Sequence, residues 1–167
     1  MKNIYLVGFM GTGKTIVGKI LSGKLKLKFI EMDDIIEKKE GRTITEIFAT
    51  KGEQYFRKLE SNFLKKISKE INLVVSCGGG LICNEKNLKV LKETGTTFNL
   101  TAEAKTIYER IKKYSHRPLL NVANPTLKIA ELMRKRAQYY EQAHHTINTN
   151  EISPDEVADK IIDILNG

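Results

Sequence analysis

Short apolar runs recur along the chain at Ile4 to Val7, Lys28 to Ile30, Leu73 to Ser76, Thr96 to Leu100 and, more weakly, His144 to Ile147. Runs this short are what strands buried on both faces require. The intervals between them carry helical spacing. Ile16, Val17, Ile20 and Leu21 fall on one helical face, and Phe56, Leu59, Phe63 and Ile67 form the buried stripe of a long helix beginning near Glu53, with Arg57 and Glu60 off that stripe. Strands alternating with helices from end to end predict an α/β fold, with five parallel strands covered by helices on both faces.

Helix starts are marked by capping residues. Thr43 to Glu46 form a capping-box sequence, Ser153 to Glu156 form another with Pro154 at the first helical position, and Thr101 is positioned to cap a segment from Ala102. Lys112 to Thr126, with Ser115, His116, Arg117, Pro118, Asn124 and Pro125, has no periodicity and predicts a long loop of the kind that acts as a lid.

With 167 residues, 41% hydrophobic and 29% charged, the chain has the size and composition of one globular domain, residues 1–167. No apolar run approaches the roughly 20 residues that span a bilayer, and the first ten residues do not read as an export signal. The net charge of +8 is spread over helical stretches such as Lys24, Lys26 and Lys28 or Lys65, Lys66 and Lys69, without interleaved aromatics. That distribution argues against a nucleic-acid platform and a membrane surface, and leaves solvated helix faces or a field favouring small polyanions. Cys77 and Cys83 have neither metal-ligand nor disulfide-framework spacing, so reduced thiols in the cytoplasm are expected. His116, His144 and His145 have no zinc-type spacing.

Chemistry enters with Gly8 to Thr15, which reads GxxxxGKT. This is a phosphate-binding loop: glycines let main-chain N–H groups curl around an anion, Lys14 reaches the β- and γ-phosphates, and the Thr15 hydroxyl ligates Mg²⁺. A strand candidate precedes it and a helix candidate follows, as the motif requires. In open parallel sheets, ligands gather beyond the carboxyl ends of the strands. Glu31, Asp33 and Asp34 follow the second strand candidate, and Gly78, Gly79 and Gly80 follow the third. A carboxylate opposite a phosphate loop either holds Mg²⁺ through water or orients and deprotonates an attacking hydroxyl. Three successive glycines let something approach the backbone closely.

With these motifs in place, the chain resembles shikimate kinase over essentially its whole length. The resemblance rests on the phosphate loop, the acids after the second strand, Gly41 to Phe48, Gly52 to Arg57, the triple glycine, Arg117 to Leu120, Arg136 within Met133 to Tyr139, and Ile147 to Thr149 before Pro154. It implies a three-layer P-loop NTPase fold of the nucleoside monophosphate kinase type, with phosphate loop 8–15, an acceptor-binding helical region near 32–60 and a lid near 112–125. It further implies a monomer that uses ATP and Mg²⁺ to phosphorylate the shikimate 3-hydroxyl.

By the same resemblance, Asp33 is the catalytic base and, with Arg57, Gly78, Gly79, Gly80 and Arg136, contacts shikimate. Lys14 and Arg117 face the transferring phosphoryl group. Gly11, Thr12, Gly13, Lys14, Thr15, Arg110, Arg117, Asn148 and Thr149 hold the nucleotide, and Thr15 and Glu31 serve the metal. Arginine's planar fork suits a carboxylate and aspartate suits a hydroxyl, so residue types and ligand match in kind. One departure stands out: the family has Asp-x-Asp after the second strand, where this chain has Glu31, one methylene longer, and an extra acid, Asp34. The nearest rival is another small-molecule kinase of this fold, for gluconate or a nucleoside monophosphate. A nucleotide-driven switch is more distant, since no NKxD guanine-recognition box is present.

Overall fold

A computed structural model describes residues 1–113 and 122–167. Among them, five strands form one parallel sheet: β1 (Asn3–Val7), β2 (Lys28–Glu31), β3 (Leu73–Ser76), β4 (Gly95–Thr101) and β5 (His145–Asn148), in the order β2-β3-β1-β4-β5. Every strand pair is parallel, with Tyr5 opposite Val75 on one side of β1 and opposite Thr97 on the other. All five residues of β1 are buried, as expected of the central strand.

Side-chain alternation along β1 separates two cores. Ile4 and Leu6 join Val17 and Leu21 of α1 (Lys14–Leu25) and Val157, Ala158 and Ile161 of α8 (Pro154–Asn166). Tyr5 and Val7 face the opposite core, with Met32 of α2 (Met32–Glu40), Phe63, Leu64 and Ile67 of α4 (Glu53–Ile67), and Leu88 and Leu91 of α5 (Glu85–Thr94). Ile107 and Ile111 of α6 (Ala104–Ile111) and Ile129 and Tyr140 of α7 (Pro125–Tyr140) belong to the same layer. Helices thus cover both faces, and the expected three-layer α/β arrangement is met. A third cluster, Ile36, Ile47 and Phe56, ties α3 (Ile44–Lys51) to α2 and α4 beside the sheet.

The caps show how local sequence sets the boundaries. Thr43 accepts from the Glu46 N–H at 3.1 Å while its own N–H donates to the Glu46 carboxylate, also at 3.1 Å. Ser153 accepts from the Glu156 N–H at 3.1 Å. Asn124 caps α7 through the Leu127 N–H, with Pro125 at the first turn, so the expected loop ends two residues before Thr126. The expectation for Thr101 fails. It remains in β4, paired opposite Asn148, and α6 starts later, at Ala104, with no side-chain cap. Strand pairing takes precedence there, since the Thr101 carbonyl accepts from both the N–H and the hydroxyl of Thr149.

A second correction concerns α4. Glu60 is only 2% exposed and sits among Phe56, Phe63, Leu64 and Ile67 on the buried side, not off the stripe.

Candidate active site

The phosphate loop leaves β1 at Gly8 with φ 140°, and a methyl group there would stand 2.3 Å from the Leu100 carbonyl oxygen, so only glycine fits. The Thr12 hydroxyl turns inward and donates to the Phe9 carbonyl at 2.8 Å, bracing the loop from within. The Lys14 ammonium donates to the Gly8 and Phe9 carbonyls at 2.7 and 2.9 Å. Gly13 precedes α1 without a side-chain cap, leaving the first N–H groups of a twelve-residue helix for an anion.

The triple glycine lies against this loop. A methyl built on Gly79 would stand 3.7 Å from the Gly8 carbonyl oxygen, 3.9 Å from the Met10 nitrogen and 3.3 Å from Arg136 Nη1. Its neighbours are equally constrained. One on Gly78 would meet the Glu60 carboxylate at 2.8 Å and Asp33 Oδ1 at 2.9 Å, and one on Gly80 would meet Arg57 Nη1 at 2.5 Å. Three elements therefore bring Asp33 (α2), Arg57 and Glu60 (α4) and Arg136 (α7) onto one bare stretch of backbone after β3. Arg136 also reaches the phosphate loop, its guanidinium lying 5.6 Å from the centre of the Phe9 ring. A polar cavity of about 350 Å³ opens beside Arg57, Gly80 and Arg136.

Asp33 lies in the first turn of α2, directly after β2, where the helix dipole favours its charge. Burial nevertheless pushes its carboxyl up to about 7, helped by Glu31 and Glu60 and opposed by Lys14. Its Oδ1 is buried without a hydrogen-bond partner. A buried carboxylate with a raised pKa and an unpartnered oxygen marks a candidate functional site. Burial likewise raises Glu60, while Arg57, at 2.8 Å, favours its charged form.

At the far end of the loop, Arg110 of α6 donates to the Gly11 carbonyl at 3.0 Å, to the Thr149 hydroxyl at 3.0 Å and to the Thr149 carbonyl at 2.8 Å. It joins the phosphate loop to the segment after β5. Thr149 is buried, whereas Asn148 is exposed and its side chain accepts from the Asn150 N–H.

For the metal, the Thr15 hydroxyl donates to Glu31 Oε2 at 2.6 Å. An exposed hydroxyl–carboxylate pair at the mouth of a phosphate loop fits Mg²⁺, which keeps most of its waters and takes few protein ligands. Among the described residues, no group of three or more acidic, histidine or cysteine side chains forms a denser metal cluster.

The structure thus places Lys14 and Thr15 after β1, Glu31 and Asp33 at the end of β2, Gly78 to Gly80 after β3 and Thr149 after β5, all at the carboxyl ends of the strands, with Arg57 and Arg136 against the glycine run and Arg110 against the phosphate loop. Arg117 and His116, with most of the expected lid, lie outside the described residues. His144 has a structural task, its Nδ1 accepting the Thr97 N–H at 3.0 Å. Both cysteines are free, Cys77 buried and Cys83 partly so. Two site residues escape a reading of the sequence, Glu60 and Tyr140. Glu60 leaves a signal, a lone charge at the apolar positions of α4; Tyr140 leaves none, because a tyrosine in an amphipathic helix reads as core.

The family model described as shikimate kinase matches residues 10–166. The shikimate kinase of Thermodesulfovibrio yellowstonii is 46% identical over 162 residues, 97% of this chain and 94% of its own length. That of Pelotomaculum thermopropionicum is 42% identical over 165 residues, 99% and 96% of the two chains. Among solved structures, shikimate kinase from Acinetobacter baumannii in complex with shikimate superposes with a TM-score of 0.93 at 38% identity, covering 99% of this chain and 93% of that one. The Aquifex aeolicus enzyme gives 0.83 at 39% identity, with coverage of 99% and 96%. A family model matching nearly the whole chain and this level of identity across nearly the full length lead to one conclusion: the chain belongs to the shikimate kinase family.

Proposed function

We propose that this protein transfers the γ-phosphoryl group of MgATP to the 3-hydroxyl of shikimate, giving shikimate 3-phosphate and ADP. The observation that carries the reading is the contact between Gly79 and the phosphate loop, which brings an acceptor lying on the glycine run alongside the nucleotide's terminal phosphate. Arg57 and Arg136 clamp the acceptor carboxylate, and that clamp fixes the ring so that its hydroxyl faces the phosphorus.

Asp33 accepts the proton of the attacking hydroxyl. A base poised near neutrality suits that transfer, and its unsatisfied Oδ1 gains the hydroxyl as a partner. Lys14 and the loop amides stabilise charge on the phosphoryl oxygens, which is the main demand of phosphoryl transfer. Mg²⁺ at Thr15 and Glu31 would neutralise charge shared by the β- and γ-oxygens. Arg110 and Thr149, with Asn148 beside them, hold the adenosine end. Arg117 keeps the role that the sequence resemblance assigns it, facing the transferring group. The same reading has the enzyme working as a monomer in the cytoplasm, in keeping with its free thiols.

ADP release measured with shikimate, gluconate and AMP as acceptors tests the proposal. Shikimate is expected to give by far the largest kcat/KM; a larger value for gluconate or AMP overturns the assignment.

A further inference from the structure

The carbonyls of the glycine run are held in two different ways. Gly78 O accepts from the Leu81 N–H and Gly80 O from the Cys83 N–H, both at 3.1 Å, inside the short 3₁₀ turn at Leu81–Cys83. The carbonyl between them takes its hydrogen bond from outside the turn: the Tyr140 hydroxyl donates to Gly79 O at 2.6 Å. With no side chain at 78, 79 or 80 to wedge the peptide planes, that single bond sets the tilt of the Gly79 peptide.

Tyr140 lies one turn beyond Arg136 on α7, and side chains four apart share a helix face. The Arg136 guanidinium acts on the Tyr140 oxygen as a neighbouring positive charge. Tyr140 is 7% exposed, and burial pushes its hydroxyl pKa up to about 12, so it remains a donor across the working pH range. Arg136 itself stands against Gly79.

We infer that Tyr140 is a positioning residue for the acceptor site, its hydroxyl locking the Arg136 guanidinium and the Gly79 peptide into one rigid cradle for a carboxylate-bearing alcohol. The inference rests on the proposed function, since it requires Arg136 and Gly79 to contact the acceptor. It assigns Tyr140 no contact with substrate; Tyr140 acts through its two neighbours.

Tyr140→Phe tests this, because it removes one oxygen and keeps the ring in the core. The expected result is a 3- to 10-fold rise in KM and in the calorimetric Kd for shikimate, the range for one lost hydrogen bond, with KM for ATP unchanged and kcat within about 3-fold. A purely structural tyrosine would instead lower Tm and leave the shikimate and ATP constants alone, or shift both together, and either outcome overturns the inference. Arg136→Lys combined with Tyr140→Phe gives a second readout. Their effects on shikimate affinity are expected to be less than additive, because both break one cradle; full additivity contradicts the coupling. If the wild-type protein neither binds nor phosphorylates shikimate, the proposed function fails first; if it does both and Tyr140→Phe behaves as wild type, only the Tyr140 inference falls.

Discussion

Arg57 and Glu60, three residues apart on α4, form an ion pair at 2.8 Å in which the carboxylate is buried and the guanidinium borders the glycine run. A buried carboxylate is costly to keep without its partner, and an arginine with a fixed partner presents its remaining N–H groups in a fixed direction. With Glu53 accepting from Arg57 Nε and Nη2 at 3.4 and 3.3 Å, the pair holds the guanidinium against the glycine run, where the proposed function places the acceptor's carboxylate. Glu60→Ala is expected to raise KM for shikimate about 10-fold and to lower stability by roughly 1–3 kcal/mol, with Glu60→Gln milder on both counts. Steady-state kinetics with denaturant unfolding checks this; an unchanged KM for shikimate refutes the aiming role.

Gly80→Ala tests the same geometry from the other side. The added methyl would meet Arg57 Nη1 at 2.5 Å, and the flexible arginine yields before the backbone does. Affinity for shikimate is expected to fall several-fold while the KM for ATP holds. Equal losses for both substrates would mean that the glycine run serves the fold and not the acceptor.

Asp33→Asn separates chemistry from stability. Loss of the base is expected to cut kcat by about 10²- to 10⁴-fold with ATP affinity nearly intact. Stability moves the opposite way. Asp33 is held near 7 in the folded protein against 3.8 for an ordinary aspartate, so the fold favours the protonated form. Its ionisation then weakens the fold progressively as pH rises from about 4 to about 7, and the penalty is complete above that. In nucleotide-free protein, the variant's gain over wild type is therefore expected to grow by on the order of 1–3 kcal/mol between pH 5 and pH 8. Urea unfolding at the two pH values measures it, and a gain independent of pH would show that Asp33 is not strained.

Much of this arrangement is legible in the sequence. The periodicity gives five strands and their helices, because fully buried parallel strands and amphipathic helices write strong patterns, and GxxxxGKT locates the nucleotide. The acidic and glycine motifs point to the same end of the sheet by their places after the strands, whereas Arg57 and Arg136, on helices, enter only through the family resemblance. The misreadings share a cause. Glu60 is absent from the expected core because apolar periodicity cannot register a charge whose partner sits three residues earlier. Thr101 looks like a cap until its strand neighbour, Thr149, claims its carbonyl. The Tyr140 contact with Gly79 spans 61 residues and leaves no local pattern at all.

Glu31 stands where the family resemblance leads to an aspartate. Its carboxylate lies 2.6 Å from the Thr15 hydroxyl. Glu31→Asp shortens that reach, and the expected result is a several-fold higher Mg²⁺ concentration for half-maximal activity at fixed ATP, with shikimate KM unchanged. An unaltered Mg²⁺ requirement would remove Glu31 from the metal site.

The central claim is that one crevice holds the nucleotide's tail and an acidic alcohol side by side. A crystal grown with a non-hydrolysable ATP analogue, Mg²⁺ and shikimate tests it most directly. The account predicts the shikimate carboxylate between Arg57 and Arg136, and its 3-oxygen beside Asp33 and roughly 3–4 Å from the γ-phosphorus. Shikimate seated away from the glycine run, or with a different oxygen facing the phosphorus, would contradict it.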